Sequence, residues 1–308
     1  MRAFLFPGQG SQAVGMGAAL AEASRAAADV FAEVDEALGQ NLFRLMRDGP
    51  DEELKLTENA QPAIMAHSIA VLRAWGVRLP EVANFVAGHS LGEYSALCAA
   101  GSFDLTTTAK LLKLRGQAMQ QAVPVGHGAM AALLGADLAL AQNIAETAAQ
   151  GEVCTVANDN DPTQVVISGH KAAIDRAIDL AKEMGAKRAV ALPVSAPFHC
   201  PLMQPAAEAM RDALGYVVVD APAVPLYANV TAQSEIDPDT IRNQLVEQVT
   251  GMVRWRESVA NMASAGVVDF IELGGKVLGG MVKRVAPDAK VTSVVTIEDV
   301  EALAKEIA

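Results

Sequence analysis

Residues 85–92 are Phe-Val-Ala-Gly-His-Ser-Leu-Gly, and a mostly apolar run follows them. The apolar start predicts a short buried strand, and the residues after the second glycine predict a helix that ends near Gly101. Glycines at the two ends of the turn permit a bend too tight for larger side chains, which leaves the Ser90 hydroxyl exposed at the helix start. An ordinary glycine turn with a capping serine is the alternative, but the strand–turn–helix context favours a nucleophile elbow.

Backbone amides near this serine are predicted to stabilise negative charge on a reacting carbonyl oxygen. The amide of Leu91 lies at a helix N-terminus, where partial positive charge accumulates. A second glycine-rich loop, Pro7-Gly8-Gln9-Gly10-Ser11-Gln12, follows a predicted strand over residues 3–6. This loop lacks the lysine and the glycine spacing of nucleotide-binding loops. We therefore expect it to bring the Gln9 amide to the same oxyanion as a second donor.

The remaining pattern predicts an α/β protein in two parts. Residues 128–195 alternate as β-α-β-β-α-β, with the polar stretch 158–162 as the turn between the middle strands. This order is typical of a ferredoxin-like unit. We predict that residues 128–195 form a subdomain inserted into a larger catalytic domain of residues 1–127 and 196–308. Helices within the larger domain are predicted over residues 16–38 and from near Pro62 to the residue before Gly76.

A serine hydroxyl needs a general base before it can act as a nucleophile. The chain has five histidines, and His199 lies where the predicted insertion returns to the larger domain, a place where a cleft forms. His199 is therefore the predicted base, with a hydrogen-bonded loop histidine as the alternative. Asp159 and Asp161 are better explained by turn chemistry than by a catalytic triad. A Ser–His dyad, in which a carbonyl group orients the histidine, is then possible.

One arginine lies close to the apolar face of a predicted helix. Asp104 is a suitable N-cap, and apolar residues from Leu105 to Val123 recur at helical spacing. Arg115 sits at the flank of this apolar stripe, because successive residues turn by about 100° around a helix. A cation near the buried side requires a partner. The two possibilities are an internal salt bridge and the carboxylate of a ligand.

Composition restricts the classes of function. The chain has 308 residues and a formal net charge of −12, which argues against nucleic acid or an anionic membrane as the main partner. Three widely spaced cysteines, the lack of a signal-peptide pattern and the lack of an apolar run of about 18 residues predict a cytoplasmic protein without a membrane span or metal site. An anionic ligand would need local cations, for which the candidates are Lys187-Arg188, Lys276 and Lys283-Arg284.

Several motifs, in order and over essentially the whole chain, resemble the malonyl-CoA:acyl-carrier-protein transacylases of bacterial fatty-acid synthesis. The segments that carry the resemblance are Phe6-Pro7-Gly8-Gln9-Gly10-Ser11-Gln12, Gly88-His89-Ser90-Leu91-Gly92-Glu93-Tyr94-Ser95-Ala96-Leu97, Leu114-Arg115-Gly116, Gln164-Val165-Val166-Ile167-Ser168-Gly169, Pro197-Phe198-His199-Cys200, and Gln248 with Val253-Arg254-Trp255. Two loops depart from the family pattern, at Met252, where a proline is frequent, and at the shorter Gly274-Gly275-Lys276 segment.

The resemblance implies an α/β-hydrolase-like core with the ferredoxin-like insertion, and a role for each matching residue. Ser90 would be the nucleophile, His199 the general base, and Gln9 with the Leu91 amide the oxyanion hole. Arg115 would bind the free carboxylate of a malonyl group. The other implied positions are Gln248, which would orient His199 through its main-chain carbonyl, and Met119 and Phe198, which would line the acyl pocket.

The implied reaction carries a malonyl group from malonyl-CoA to Ser90 and then to the phosphopantetheine thiol of acyl carrier protein, with no metal or redox cofactor. The partners are therefore acyl carrier protein and a CoA thioester, and we expect a monomer. The competing hypotheses are a serine thioesterase or esterase and a non-catalytic carrier-protein-binding module. Phe198 beside His199 favours malonyl over the larger methylmalonyl group, and both fatty-acid and polyketide pathways are compatible with the sequence.

Overall fold

The structure, a computed structural model, describes residues 1–194 and 196–307. Within these residues the fold is mixed α/β with two sheets, in agreement with the predicted class. The strands are β1 (Arg2–Phe6), β2 (Phe85–Gly88), β3 (Gly128–Leu134), β4 (Cys154–Asp161), β5 (Gln164–His170), β6 (Arg188–Ala191), β7 (Leu226–Tyr227), β8 (Ser234–Glu235), β9 (Asp269–Leu273) and β10 (Lys290–Val294).

The helices lie between these strands and at the C-terminal end. They are α1 (Ala18–Ala23), α2 (Arg25–Leu38), α3 (Leu42–Asp48), α4 (Asp51–Leu54), α5 (Thr57–Trp75), α6 (Leu79–Val82), α7 (Gly92–Ala99), α8 (Leu105–Ala122), α9 (Leu138–Ala149), α10 (Lys171–Ala181), α11 (Gln204–Gly215), α12 (Pro238–Gln248), α13 (Trp255–Ser264), α14 (Leu278–Val285) and α15 (Ile297–Ile307). None of the helices in the described ranges has both the length and the apolar character needed to cross a membrane.

The larger sheet has the strand order β10-β9-β1-β2-β7-β8. Its pairings are parallel from β10 to β7, and β8 is antiparallel to β7. Because β1 and β2 are parallel neighbours, the loops that follow them leave the sheet at the same edge. Phe6 pairs with Gly88, which brings the loop that contains Gln9 next to the turn that contains Ser90.

Helices cover both faces of this sheet. Ala3, Phe4, Leu5 and Phe6 of β1 are each fully buried, as expected for a central strand of a parallel sheet. Successive side chains point to opposite faces: the two phenylalanines pack into the cluster that contains α5 and α8, and the other two residues pack against α13 and α14. The central strands are therefore a rigid base for the loops at their carboxyl ends.

The smaller sheet has the strand order β4-β5-β3-β6 with antiparallel pairing throughout. One face packs against α9 and α10 through a separate apolar cluster that includes Leu133, Ile144, Ile167 and Ile174. Residues of the other face, such as Met130 and Val166, belong to the main core. The last predicted residue of the insertion, Ser195, and the last residue of the chain, Ala308, lie outside the described residues.

The predicted turn over residues 158–162 is correct only at its last residue: Pro162 lies in the observed turn, whereas residues 158–161 belong to a strand. Strand β4 continues to Asp161, although its pairing with β5 shifts register twice. Turn-forming residue types are accommodated because their side chains have partners elsewhere: Asp159 pairs with Arg256 over 2.8 Å, and Asp161 pairs with Arg284 over 2.8 Å. Asp161 also makes one contact that is typical of turns: its other carboxylate oxygen accepts from the backbone amide of the turn that follows.

Two helix boundaries also differ from the prediction. Helix α5 begins at Thr57, so Pro62 lies in its second turn instead of at its start. Proline removes one backbone hydrogen bond there, but α8 packs directly against the first turn, where a Cβ atom on Gly116 would lie 2.5 Å from the Cα atom of Glu58. The first predicted helix is divided into α1 and α2 by Ser24, whose side chain caps α2.

Candidate active site

Ser90 lies at the tip of the turn between β2 and α7. Its φ angle is 55°, in the left-handed region that residues other than glycine rarely adopt. The flanking glycines are sterically required, because a Cβ atom on Gly88 would lie 1.9 Å from the carbonyl carbon of Gly92 and one on Gly92 would lie 2.2 Å from the carbonyl oxygen of Phe6. The strained turn is thus held by close backbone packing, and it presents the Ser90 hydroxyl to a cavity.

His199 is in hydrogen-bonding contact with this hydroxyl. The distance from Ser90 Oγ to His199 Nε2 is 2.7 Å, and His199 Nδ1 donates to the carbonyl oxygen of Gln248 over 2.9 Å. Because a carbonyl can only accept, the ring proton sits on Nδ1 and the lone pair of Nε2 faces the hydroxyl. Burial, and secondly the nearby Arg115, lower the pKa of His199 to about 3. The imidazole is therefore neutral at neutral pH and can accept a proton.

Two backbone amides lie beside Ser90. Gln9 and Leu91 line the same cavity, and in the described part of the chain neither amide donates to another backbone group. Gly8 permits the close approach of the first loop, because a Cβ atom there would lie 2.7 Å from the carbonyl oxygen of His89. Both amides are thus available to an oxygen that develops negative charge next to Ser90.

Arg115 is buried, with 1% of its surface exposed. Its Nη1 atom donates to Gln61 over 2.7 Å, and its Nη2 atom donates to the side chain of Gln248 over 2.8 Å and to Ser90 Oγ over 3.2 Å. Its Nε atom has no hydrogen-bond partner, and no carboxylate of residues 1–194 or 196–307 forms an ion pair with the guanidinium. The internal salt bridge that was the alternative for this residue is not observed; its partners are neutral amides and a hydroxyl.

A cavity of about 420 Å³ lies above these groups. Met119 and Phe198, the two acyl-pocket residues implied by the resemblance, line it. Sequence reasoning did not identify other residues of the lining, which include Met130, Asn158, Leu192 and Val194. These residues come from the smaller sheet and the segment that leaves it, so the cavity lies between the two parts of the chain.

Two buried polar residues beneath Ser90 were also missed. Asn229 accepts from the Ser90 amide over 2.8 Å and donates to the carbonyl of Gly88 over 2.7 Å. Glu93 accepts from the side chain of Gln248 over 2.7 Å, and burial raises the pKa of Glu93 to about 7. The sequence feature that could have identified Glu93 is a carboxylate within the mostly apolar first turn of a predicted helix. Asn229 lies in a loop and had no comparable signal.

The candidate cations differ in their availability to a ligand. Arg284 pairs with Asp161, and Lys283 donates to the carbonyl of Ala289 over 2.6 Å. These two residues therefore stabilise the fold. Lys187, Arg188 and Lys276 are exposed and are the better candidates for contact with an anionic ligand.

A reactive serine, a neutral imidazole and two available amides in one cavity are typical of enzymes that carry an acyl group on serine. The chain belongs to the acyl transferase domain family, whose model matches residues 3–277. The malonyl CoA-acyl carrier protein transacylase of Haemophilus influenzae is 46% identical over 294 residues, which are 95% of this chain and 94% of that protein.

Solved structures agree with this assignment. The acyl-carrier-protein-S-malonyltransferase of Bartonella henselae is 52% identical and superimposes with a TM-score of 0.97, covering 99% of both chains. A malonyl-transacylase in complex with its type II PKS acyl-carrier protein is 40% identical with a TM-score of 0.96, covering 99% of both chains. The family predicted from the sequence motifs is thereby confirmed.

Proposed function

We propose that this protein transfers a malonyl group from malonyl-CoA to the phosphopantetheine thiol of acyl carrier protein, through an ester on Ser90. The observation that carries the proposal is the buried guanidinium of Arg115, which touches the Ser90 hydroxyl and has no carboxylate partner among the described residues. A guanidinium binds a carboxylate through paired, charge-assisted hydrogen bonds. A malonyl group on Ser90 carries such a carboxylate one methylene away from the reacting carbonyl. The names of the relatives support the same reaction.

In the first half-reaction Ser90 acts as the nucleophile and His199 as the general base. The Ser90 proton moves to His199 Nε2 while Oγ attacks the thioester carbonyl, and the amides of Gln9 and Leu91 stabilise the oxyanion. The carbon–sulfur bond then breaks, and CoA leaves as a thiol with the proton from His199. Pairing of the malonyl carboxylate with Arg115 offsets the positive charge that helps to lower the pKa of His199, which favours proton uptake.

The second half-reaction is the reverse sequence with a different thiol. The phosphopantetheine thiol of acyl carrier protein gives its proton to His199 and attacks the malonyl-serine carbonyl. The carbon–oxygen bond to Ser90 breaks, and Oγ recovers the proton. Gln248 holds the imidazole in the required tautomer through its carbonyl. No step requires a metal or redox cofactor.

The groups around the cavity suggest how the acyl group is selected. Met119, which is 1% exposed, and Phe198, which is 8% exposed, are proposed to enclose the methylene of the malonyl group. A methylmalonyl group would place a further methyl group against these side chains, which favours the smaller acyl group. A serine hydrolase would use the same serine and histidine, but a buried cation aimed at the serine has no purpose in the hydrolysis of a neutral ester.

Acyl carrier protein is proposed as the partner, and a relative in complex with an acyl-carrier protein supports this choice. The chain is acidic overall, with a net charge of −12, so an anionic partner needs a local cluster of cations. Lys187, Arg188 and Lys276 are proposed to contribute because they are exposed, whereas the equally exposed Lys283 and Arg284 bond to other groups of the chain. A monomeric state and a cytoplasmic location stay predictions from the sequence.

The finer description of the fold is also a proposal. We propose an α/β-hydrolase-like catalytic domain of residues 1–127 and 196–308 and a ferredoxin-like insertion of residues 128–195. The mainly parallel larger sheet and the nucleophile turn after β2 support the first part. The order β3-α9-β4-β5-α10-β6 and the separate apolar cluster support the second.

Intact-protein mass spectrometry after addition of malonyl-CoA tests the function. The expected result is a malonyl adduct that is lost in Ser90→Ala, persists in buffer and is discharged by the phosphopantetheine form of acyl carrier protein. An adduct that water discharges equally fast would establish a thioesterase. Absence of any adduct would leave only the non-catalytic binding module.

A further inference from the structure

The side-chain amide of Gln248 lies between two buried charged residues. Its Nε2 atom donates to Glu93 Oε2 over 2.7 Å and to the main-chain carbonyl of Ser90 over 2.9 Å. Its Oε1 atom accepts from Nη2 of Arg115 over 2.8 Å. A glutamine amide has a donor side and an acceptor side of nearly equal shape. The contacts of Arg115 therefore depend on which way this amide is turned.

We propose that Glu93 is a positioning residue that sets the orientation of the Gln248 amide and thereby holds the Arg115 guanidinium against Ser90. The inference rests on the proposed function, because its consequence concerns the group that would bind the malonyl carboxylate. Glu93 itself makes no contact with the cavity: it is 1% exposed and does not line it.

The reversed orientation of the amide is disfavoured at both of its ends. Oε1 would then face the carbonyl oxygen of Ser90, which is an acceptor in every state, and Oε2 of Glu93, which is an acceptor unless the carboxyl group places its proton there. Nε2 would face Nη2 of Arg115, so that two donors would meet. Gln248 and Arg115 are almost completely buried, at 0% and 1% exposed, so water cannot relieve these mismatches. Removal of the Glu93 acceptor would weaken this preference.

Glu93 also contacts Asn229, the other residue whose side-chain amide group bonds to Ser90. Its Oε2 atom accepts from the backbone amide of Asn229 over 3.2 Å, and the Asn229 side chain bonds the Ser90 amide and the Gly88 carbonyl. One carboxyl oxygen thus bonds the side chain of Gln248 and the backbone of Asn229, and the side chains of these two residues bond the carbonyl and the amide of the strained serine.

The role of Glu93 rests on its acceptor and not on its charge. Burial raises the pKa of Glu93 to about 7, so the acid and the carboxylate are both populated near neutral pH. Oε1 has no hydrogen-bond partner among the described residues, so it can carry the proton while Oε2 continues to accept. A glutamine at this position can place its carbonyl oxygen where Oε2 lies and keep both contacts.

The test compares Glu93→Gln, which keeps an acceptor, with Glu93→Met, which has a similar volume and no acceptor. The readout is the ratio of the specificity constants for malonyl-CoA and acetyl-CoA, with acyl carrier protein as the second substrate. A ratio is independent of the fraction of folded enzyme, so a purely structural defect does not change it. We expect Glu93→Met to lower the ratio about tenfold or more, because misplacement of a binding group by about 1 Å has effects of that size. We expect Glu93→Gln to stay within about threefold of the original ratio.

Two results would overturn the inference. A ratio in Glu93→Met equal to that of the unaltered protein would show that Arg115 keeps its place without Glu93. A ratio that falls as far in Glu93→Gln as in Glu93→Met would show that the acceptor is not what matters. If Glu93→Met does not fold, Glu93→Leu, which also lacks an acceptor, takes its place, and the same two criteria apply. Failure of the unaltered protein to transfer malonyl would instead refute the proposed function, which separates the two cases.

Discussion

The Nη2 atom of Arg115 donates to the Oγ atom of Ser90 over 3.2 Å, so a buried cation and the reactive hydroxyl are in direct contact. The same hydroxyl lies 2.7 Å from Nε2 of His199. A ligand carboxylate that pairs with Arg115 therefore changes the electrostatic environment of the nucleophile and of its base together. In the proposed mechanism, selection of the acyl group and activation of the serine are therefore linked through one side chain.

Replacement of this arginine should change the preference between acyl groups. We expect Arg115→Met to lower kcat/KM for malonyl-CoA by the equivalent of about 2–5 kcal/mol, the usual cost of removing one partner of a buried charge pair. Transfer of an acetyl group should fall much less, because it has no carboxylate to pair. Steady-state kinetics with both thioesters measures the difference. Lys110→Met, on the exposed side of the same helix, is the control, and equal losses for both thioesters in Arg115→Met would contradict the assignment.

The acid limb of the pH profile of kcat/KM should lie at a pH far below the usual pKa range of histidine. Burial and Arg115 lower the pKa of His199 from 6.5 to about 3. The folded protein therefore disfavours the protonated ring, and the base function persists until the pH falls toward 3. The associated stability is complete above pH 6.5 and declines progressively between pH 6.5 and 3, because the unfolded chain takes up the proton first. We expect kcat/KM for malonyl-CoA, which reports the free enzyme, to show no half-maximal point near pH 6.5. Such a midpoint, absent from the profile of the substrate alone and still present in Glu93→Gln, would show that His199 titrates normally, because Glu93 also has a pKa of about 7.

A methyl group on Gly8 should damage the proposed oxyanion hole. It would lie 2.7 Å from the carbonyl oxygen of His89, so the loop that carries Gln9 must move away from Ser90. Loss of one oxyanion donor lowers kcat by about 10²–10³-fold, and we expect Gly8→Ala to lose at least about tenfold. Gly215→Ala is the matched control, because its Cβ atom would meet nothing within 4 Å. Equal kcat values in the two variants would remove Gln9 from the mechanism.

The two aspartates at the end of β4 should stabilise the fold more than surface ion pairs do. The side chain of Asp161 is 0% exposed and that of its partner Arg284 is 49% exposed. If Asp161 loses its charge, water can solvate Arg284 only in part, so the lost ion pair is not fully replaced. We expect Asp161→Asn to lower the free energy of unfolding by about 1–3 kcal/mol. Asp175→Asn, which breaks an exposed pair with Lys171, should cost less than about 0.5 kcal/mol. Urea unfolding measures both, and equal values would show that burial of Asp161 is unimportant.

Features that depend on neighbours in the chain were determined by the sequence itself. The nucleophile turn depends locally on the close approach of Gly88 to Gly92, which leaves no room for a side chain on Gly88. The start of α8 follows from Asp104, whose side chain accepts from the Thr107 amide. The alternation of strands and helices over residues 128–195 depends on periodicities of two and 3.6 residues, which are local properties. The order of the family motifs then identified the protein family without any coordinates.

The tertiary structure alone decided which groups meet in the buried site. The partners of Arg115 include Gln248, 133 positions away in the chain, and Glu93 is joined to Gln248 across 155 positions. The sequence of the polar residues near the end of β4 is typical of a turn, and only the structure shows that Arg256 and Arg284 are the partners of the two aspartates. Local preferences describe the backbone of a short segment. A buried polar side chain is stabilised by whichever distant group the packing of helices and strands places at hydrogen-bonding distance.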